Sequence, residues 1–124
     1  MLVFVGEKRS AKAIAMGVRW TDGRLAAVPL FEALEAAGVD PAAQRFVNLF
    51  LDGDAWRVSG GGVRLIRQLA RLRTSRVVGL GRRVQSTLAR LEIDHLPMVH
   101  PAARGAIRRR DRYMAHVGAV IGEP

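Results

Sequence analysis

Leu2-Val3-Phe4-Val5-Gly6-Glu7 is the stretch from which the fold is read. Four consecutive apolar residues without polar alternation suit a strand covered on both faces, as strands of parallel sheets are. The run stops at a glycine and a carboxylate, so a turn bearing a polar group is expected at its carboxyl end. Three more such runs follow: Phe46 to Leu51, interrupted only by Asn48; Arg76 to Leu80; and a run within Ile93 to Val99.

Helical patterns separate these strands. Ser10 is placed to cap a short helix through Met16. Val28, Phe31, Leu34 and Ala37 recur at three-residue steps before Gly38, which predicts a helix with that face inward. Between Val63 and Leu72, the residues Leu65, Leu69 and Leu72 form an apolar stripe, while Arg64, Arg67 and Arg71 form a basic one. Gly81 opens another helix, with Val84, Leu88 and Leu91 expected inside and Arg82, Arg83 and Arg90 outside. A last helix is predicted from Ile107 to Ile121, with Ile107, Met114, Val117 and Ile121 facing inward. The segments 17–24 and 52–62 and the Asp40-Pro41 step read as loops and turns.

Strand and helix thus alternate four times, with no internal repeat. Such a chain is expected to form an α/β fold, a three-layer α/β/α sandwich around a four-stranded parallel sheet of order 2-1-3-4. Its 124 residues suit a single domain spanning 1–124. A chain of that length buries roughly two thirds of its unfolded surface, enough for a core without staples.

There are no cysteines, which excludes disulfides, thiolate zinc sites and iron–sulfur clusters and agrees with a cytoplasmic location. The apolar run at Leu2 to Val5 is too short for a signal peptide or a membrane span, so a soluble protein with no membrane partner is expected.

The net charge of +9 is unevenly placed. Residues 1–56 carry six Lys/Arg against seven Asp/Glu, whereas residues 57–124 carry fourteen against four. Eighteen of the twenty cations are arginines, whose forked guanidinium suits phosphate oxygens. A polyanion, and DNA in particular, is the partner this balance implies.

Ligands of open α/β sheets sit at the carboxyl ends of the strands. Three polar features fall there: Gly6-Glu7, Asn48, and the turn His100-Pro101-Ala102-Ala103-Arg104-Gly105. An amide left unpaired inside an apolar strand costs on the order of 1–3 kcal/mol, so Asn48 calls for a partner. His95, His116 and Trp56 read as packing or surface residues, and Gly60-Gly61-Gly62 lacks the Lys-Ser/Thr of a phosphate loop.

Four segments, Val-Phe-Val-Gly-Glu (3–7), Phe-Val-Asn-Leu-Phe (46–50), Val-Val-Gly-Leu-Gly (77–81) and His-Pro-Ala-Ala-Arg-Gly (100–105), resemble in order and spacing the motifs of the uracil-DNA glycosylase superfamily. The likeness is to the branch whose first motif begins Gly-Glu and whose last begins His-Pro. It implies a hydrolase of base excision repair that needs neither metal nor cofactor. A uracil or other deaminated base is swung out of DNA, and its bond to the sugar is hydrolysed through an oxocarbenium-like state. By this resemblance Glu7 handles water, and His100 donates to the oxygen of the departing base. Asn48 reads the base edge, Gly6 lies against it, and Trp20 stands in for the family's stacking aromatic. The family's Pro-Phe is replaced here by Leu25-Ala26. Ala102, Ala103 and Arg104 would enter the minor groove. Arg108, Arg109, Arg110 and Arg112 would hold phosphates. A monomer is expected. The first motif continues Lys8-Arg9-Ser10 where the family has Pro-Gly and acids, which sets cations beside Glu7.

Two other classes fit parts of the chain. Residues 7–15 also resemble the opening of a Toprim domain, in which Glu7, Asp52 and Asp54 would hold magnesium. A relative that binds DNA or a base without excising it is the third.

Overall fold

The computed structural model describes residues 1–53, 55–103, 105, 107 and 109–122. Its centre is a four-stranded parallel sheet in the order β2-β1-β3-β4, formed by β1 (Leu2–Gly6), β2 (Arg45–Asn48), β3 (Arg76–Leu80) and β4 (Leu96–Met98). Every residue of β1 is buried. The continuous apolar run is explained by its central position, paired with β2 on one side and β3 on the other. The expected fold class and strand order are therefore those observed.

Alternate residues of β1 enter different cores. Leu2 and Phe4 join Leu30, Leu34, Tyr113, Val117 and Ile121, beneath α2 (Ala27–Ala36) and α5 (Arg110–Ile121). Val3 and Val5 join Val63, Ile66, Val84 and Leu88, beneath α3 (Gly60–Ala70) and α4 (Arg82–Arg90). The short α1 (Ala11–Met16) buries no residue and is capped by the Ser10 side chain, which accepts from the Ala13 N–H. Among the described residues no helix is long and apolar enough to cross a membrane.

Several sequence expectations shift in detail. In α2 the buried face is Ala27, Leu30, Ala33 and Leu34, not the Val28–Phe31–Leu34–Ala37 line. Steps of three residues fall short of a full turn by about 60° each, so that line winds off the core face. Val28 is consequently exposed. In α3, Val63 and Ile66 are buried while Leu65, and Leu72 just past the helix end, lie in solvent.

The three glycines expected in a loop begin α3, with the Ser59 hydroxyl capping the Gly62 N–H. A Cβ on Gly62 would come within 2.7 Å of the Asn48 carbonyl oxygen. The bare glycine thus lets α3 abut the end of β2, and this close seat sets which face of the helix turns inward.

β2 ends at Asn48 rather than Leu51, because Phe50 and Val58 form an antiparallel bridge that folds the chain back within the expected loop. β4 is shorter than its apolar run, and α5 starts at Arg110 rather than Ile107. Ile107 nevertheless packs against the core as expected.

Candidate active site

The chain leaves β1 toward β2 on one side and leaves β3 toward β4 on the other. The crevice outside the carboxyl ends of β1 and β3 is therefore the topological switch point, where open α/β sheets bind ligands. Glu7 follows β1 directly. A side chain on Gly81, which follows β3, would meet Glu7 Oε1 and His100 Cβ at 3.5 Å each. Asn48 closes β2, level with Gly6 in the parallel register.

A cleft of about 270 Å³ lies here, lined by Glu7, Trp20, Asn48, His100 and Ala102. The three polar side chains expected at this edge thus meet around one space. A larger cavity of about 570 Å³ lies at the opposite edge of the sheet, between the end of α3 and the α4–β4 turn. It mixes Arg67, Arg71 and Arg76 with Glu92 and Asp94, so its three cations share the lining with two carboxylates. The smaller cleft is the better site because separate strand ends feed it polar groups.

His100 is oriented from within its own turn. The Ala102 N–H donates to His100 Nδ1 at 3.0 Å, so the neutral ring carries its proton on Nε2. The Ala103 N–H closes the same turn on the His100 carbonyl at 2.9 Å. Burial lowers the imidazole's proton affinity, and the nearby Glu7 carboxylate opposes this only in part. A neutral ring offering Nε2–H is the result. Behind it, α5 grips the preceding residue: Tyr113 Oη donates to the Val99 carbonyl and the Val99 N–H donates to His116 Nε2.

Asn48 finds its partner in Trp20, whose indole N–H donates to Asn48 Oδ1 at 2.7 Å. The indole stacks on Phe46 with centroids 6.1 Å apart, and Phe46 stacks on Phe4 at 5.3 Å. Its other neighbour is His100, met edge-on at 6.1 Å. Trp20 sits on a 3-10 turn, Trp20–Asp22, inside the segment expected to be loop.

Gly6 proves to be a space-maker. A Cβ there would lie 2.8 Å from Trp20 Cζ2 and 3.0 Å from Asn48 Oδ1.

The cations that follow Glu7 are drawn away from it. Lys8 Nζ bonds the Gly53 carbonyl and lies 4.1 Å from the Trp56 ring centre. Arg9 pairs with Asp52 at 2.8 Å, holding that carboxyl below its usual range. Glu7 makes no ion pair or side-chain hydrogen bond among the described residues. Asp52 thus faces Arg9, Asp54 lies outside the described residues, and no acidic or histidine cluster able to hold a metal is found among those described.

Of the residues assigned to DNA, Ala102 lines the cleft and Ala103 belongs to the His100 turn. Arg104 and Arg108 lie outside the described residues. Arg110 pairs with Glu32 on α2 at 3.0 Å, Arg109 lies 3.8 Å from Asp111, and Arg112 is exposed.

Beyond the Lys8 and Arg9 expected beside Glu7, two more cations reach the cleft. Lys8, Arg9, Arg19 and Arg24 all line it. Arg83 stacks on Trp56 with its guanidinium carbon 4.0 Å from the ring centre, leaving the indole between two cations. No family model matches the chain, and no curated protein matches it.

Proposed function

We propose that the protein is a DNA glycosylase that draws a uracil or another deaminated base from DNA and hydrolyses its N-glycosidic bond, acting as a monomer in the cytoplasm. One observation carries this: Glu7, Asn48 and His100 line a single cleft at the switch point, with the His100 proton held on Nε2. Bond breaking leaves electrons on the base and positive charge on the sugar. An Nε2–H directed at the base oxygen stabilises the departing anion without first giving up its proton. The unpaired Glu7 carboxylate would face the sugar, where it stabilises the cation and takes a proton from the attacking water. Cations at the cleft rim would hold flanking phosphates whatever the sequence.

The test is incubation with single- and double-stranded oligonucleotides containing uracil, hypoxanthine or xanthine, in chelator, followed by alkali. Strand breaks at the altered base, lost in Glu7→Gln and reduced in His100→Ala, are expected. No break with any of these substrates overturns the proposal. A second reading is favoured by the Trp20–Asn48 bond, which engages the amide before any base arrives. It is a module that binds the base without excising it. Tight binding of uracil-containing DNA with no release would select it.

A further inference from the structure

An asparagine amide is nearly symmetric in shape, so which end faces a ligand is decided by its partners. The partner of Asn48 is an indole N–H, which can donate and cannot accept. Oδ1 must therefore turn toward Trp20. Nδ2 makes no hydrogen bond among the described residues and is not sealed away from solvent. The amide of Asn48 is thus fixed with Nδ2 as the end that can donate to a ligand.

The indole cannot easily yield. Phe46 and Phe4 stack in sequence beneath it, and Phe31 packs against Phe46 at 5.3 Å. Gly6, buried in the central strand, is fitted to the Trp20–Asn48 pair with no room for a methyl group. The lock is therefore part of the core. His100 presents Nε2–H to the same cleft, so two donors converge there.

From this geometry we infer that Trp20 is a specificity-determining residue: by fixing the amide of Asn48 it restricts the cleft to bases that present a carbonyl oxygen at the edge Asn48 reads. The inference rests on the glycosylase reading and deepens it. An amino group at that position meets the Asn48 amide donor-to-donor. A free asparagine would escape by turning its amide over, and Trp20 forbids the turn. The ring N–H beside the carbonyl can reach only the second lone pair of Oδ1, so the fixed Nδ2 donor carries the discrimination. Uracil and hypoxanthine are thus separated from cytosine and adenine by one atom.

The experiment compares base release from otherwise identical oligonucleotides carrying uracil or cytosine, for the unmutated protein and for Trp20→Phe. Phenylalanine keeps a ring on the Phe46 stack and removes the donor. The uracil-to-cytosine rate ratio is expected to fall by about tenfold, the discrimination one hydrogen bond supplies. A general loss of activity leaves that ratio unmoved. An unchanged ratio in a folded Trp20→Phe protein overturns the lock.

If that variant does not fold, or if the unmutated protein releases no base, the indole proton resonances decide. In the unmutated protein the Trp20 signal should exchange slowly with solvent. In Asn48→Ala it should shift and exchange faster, while the Trp56 signal stays in place. A Trp20 signal indifferent to Asn48→Ala overturns the inference, whereas absence of any base release overturns only the glycosylase reading.

Discussion

The Val99 N–H donates to His116 Nε2 at 2.9 Å, which ties the residue just before His100 to the side of α5. The Val99 carbonyl is held by the Tyr113 hydroxyl one helical turn earlier, at 3.0 Å. β4 is only three residues long, so its carboxyl end has little ladder of its own to hold it. Two α5 side chains supply what the sheet does not, and they fix the place from which His100 enters the cleft.

Removing one jaw of this clamp should therefore cost more than a surface change. His116→Ala leaves the Val99 N–H without a partner in a part-buried setting and is expected to lower stability by about 1–3 kcal/mol. Tyr113→Phe removes only the hydroxyl and should cost about 1 kcal/mol. Urea unfolding measures both. Midpoints equal to that of the unmutated protein would show that the clamp holds nothing.

The same contacts set a pH dependence. Burial depresses the proton affinity of both His100 and His116 below the ordinary value of 6.5. The unfolded chain then binds more protons than the folded one just below that value, so stability rises with pH. The contribution is complete above about pH 6.5 and is lost as the solution is acidified toward the lower folded values. Protonation would also place a hydrogen on His100 Nδ1, where the Ala102 N–H now donates, and on His116 Nε2, where Val99 does. Thermal unfolding at pH 7.5 and 5.5 should show a loss on acidification that is smaller in His116→Gln. A loss of equal size in that variant would assign the effect elsewhere.

How far the sequence discloses this arrangement depends on the range of the interaction. β1 was legible because burial on both faces leaves a continuous apolar run, and the end of that run marks where Glu7 must emerge. Asn48 and His100 were legible as polar residues at strand ends. The stripes of α2 and α3 were misplaced by a fraction of a turn, because each helix carries two overlapping apolar lines. Only the fit against the sheet, at Gly62 for α3, chooses between them. The Trp20–Asn48 bond joins positions 28 residues apart and leaves no periodic trace. Two of the rim cations, Arg19 and Arg24, escaped for another reason. Residues 1–56 are nearly neutral in total, yet Lys8, Arg9, Arg19 and Arg24 gather at the cleft while Glu32 and Glu35 lie along α2.

Gly6→Ala probes the tightest contact in the site. The added methyl would lie 2.8 Å from Trp20, closer than carbon atoms tolerate, so the indole or β1 must move. Overpacking of this kind costs about 1–3 kcal/mol. On the glycosylase reading, base release should fall further than the stability loss explains, because Asn48 is displaced together with Trp20. A variant with both stability and base release intact would mean that the site tolerates a loose Trp20.

Asp52 separates the glycosylase reading from one that requires magnesium. Its carboxylate is engaged by Arg9 on the surface, an exposed pair of the kind that contributes about 0–1 kcal/mol. Asp52→Ala should thus unfold at nearly the same urea concentration as the unmutated protein and keep its base-releasing activity in chelator. Loss of activity in Asp52→Ala, with rescue of the unmutated protein by added magnesium, would transfer the site to the acidic residues.

On the proposed DNA-binding role, the placement of the cations sets how affinity responds to salt. Each phosphate neutralised by a side chain releases a counterion, so a lost contact lowers the slope of log affinity against log salt by about one. Arg24 lines the cleft and Arg83 lies over Trp56 at its edge, so Arg24→Ala and Arg83→Ala should each reduce the slope by about one on uracil-containing DNA. Arg64, on the solvent side of α3, shares neither the cleft nor the Trp56 stack. Arg64→Ala removes the same charge and should leave the slope as it was. Equal reductions in all three variants would mean that DNA responds only to total charge and does not engage the cleft.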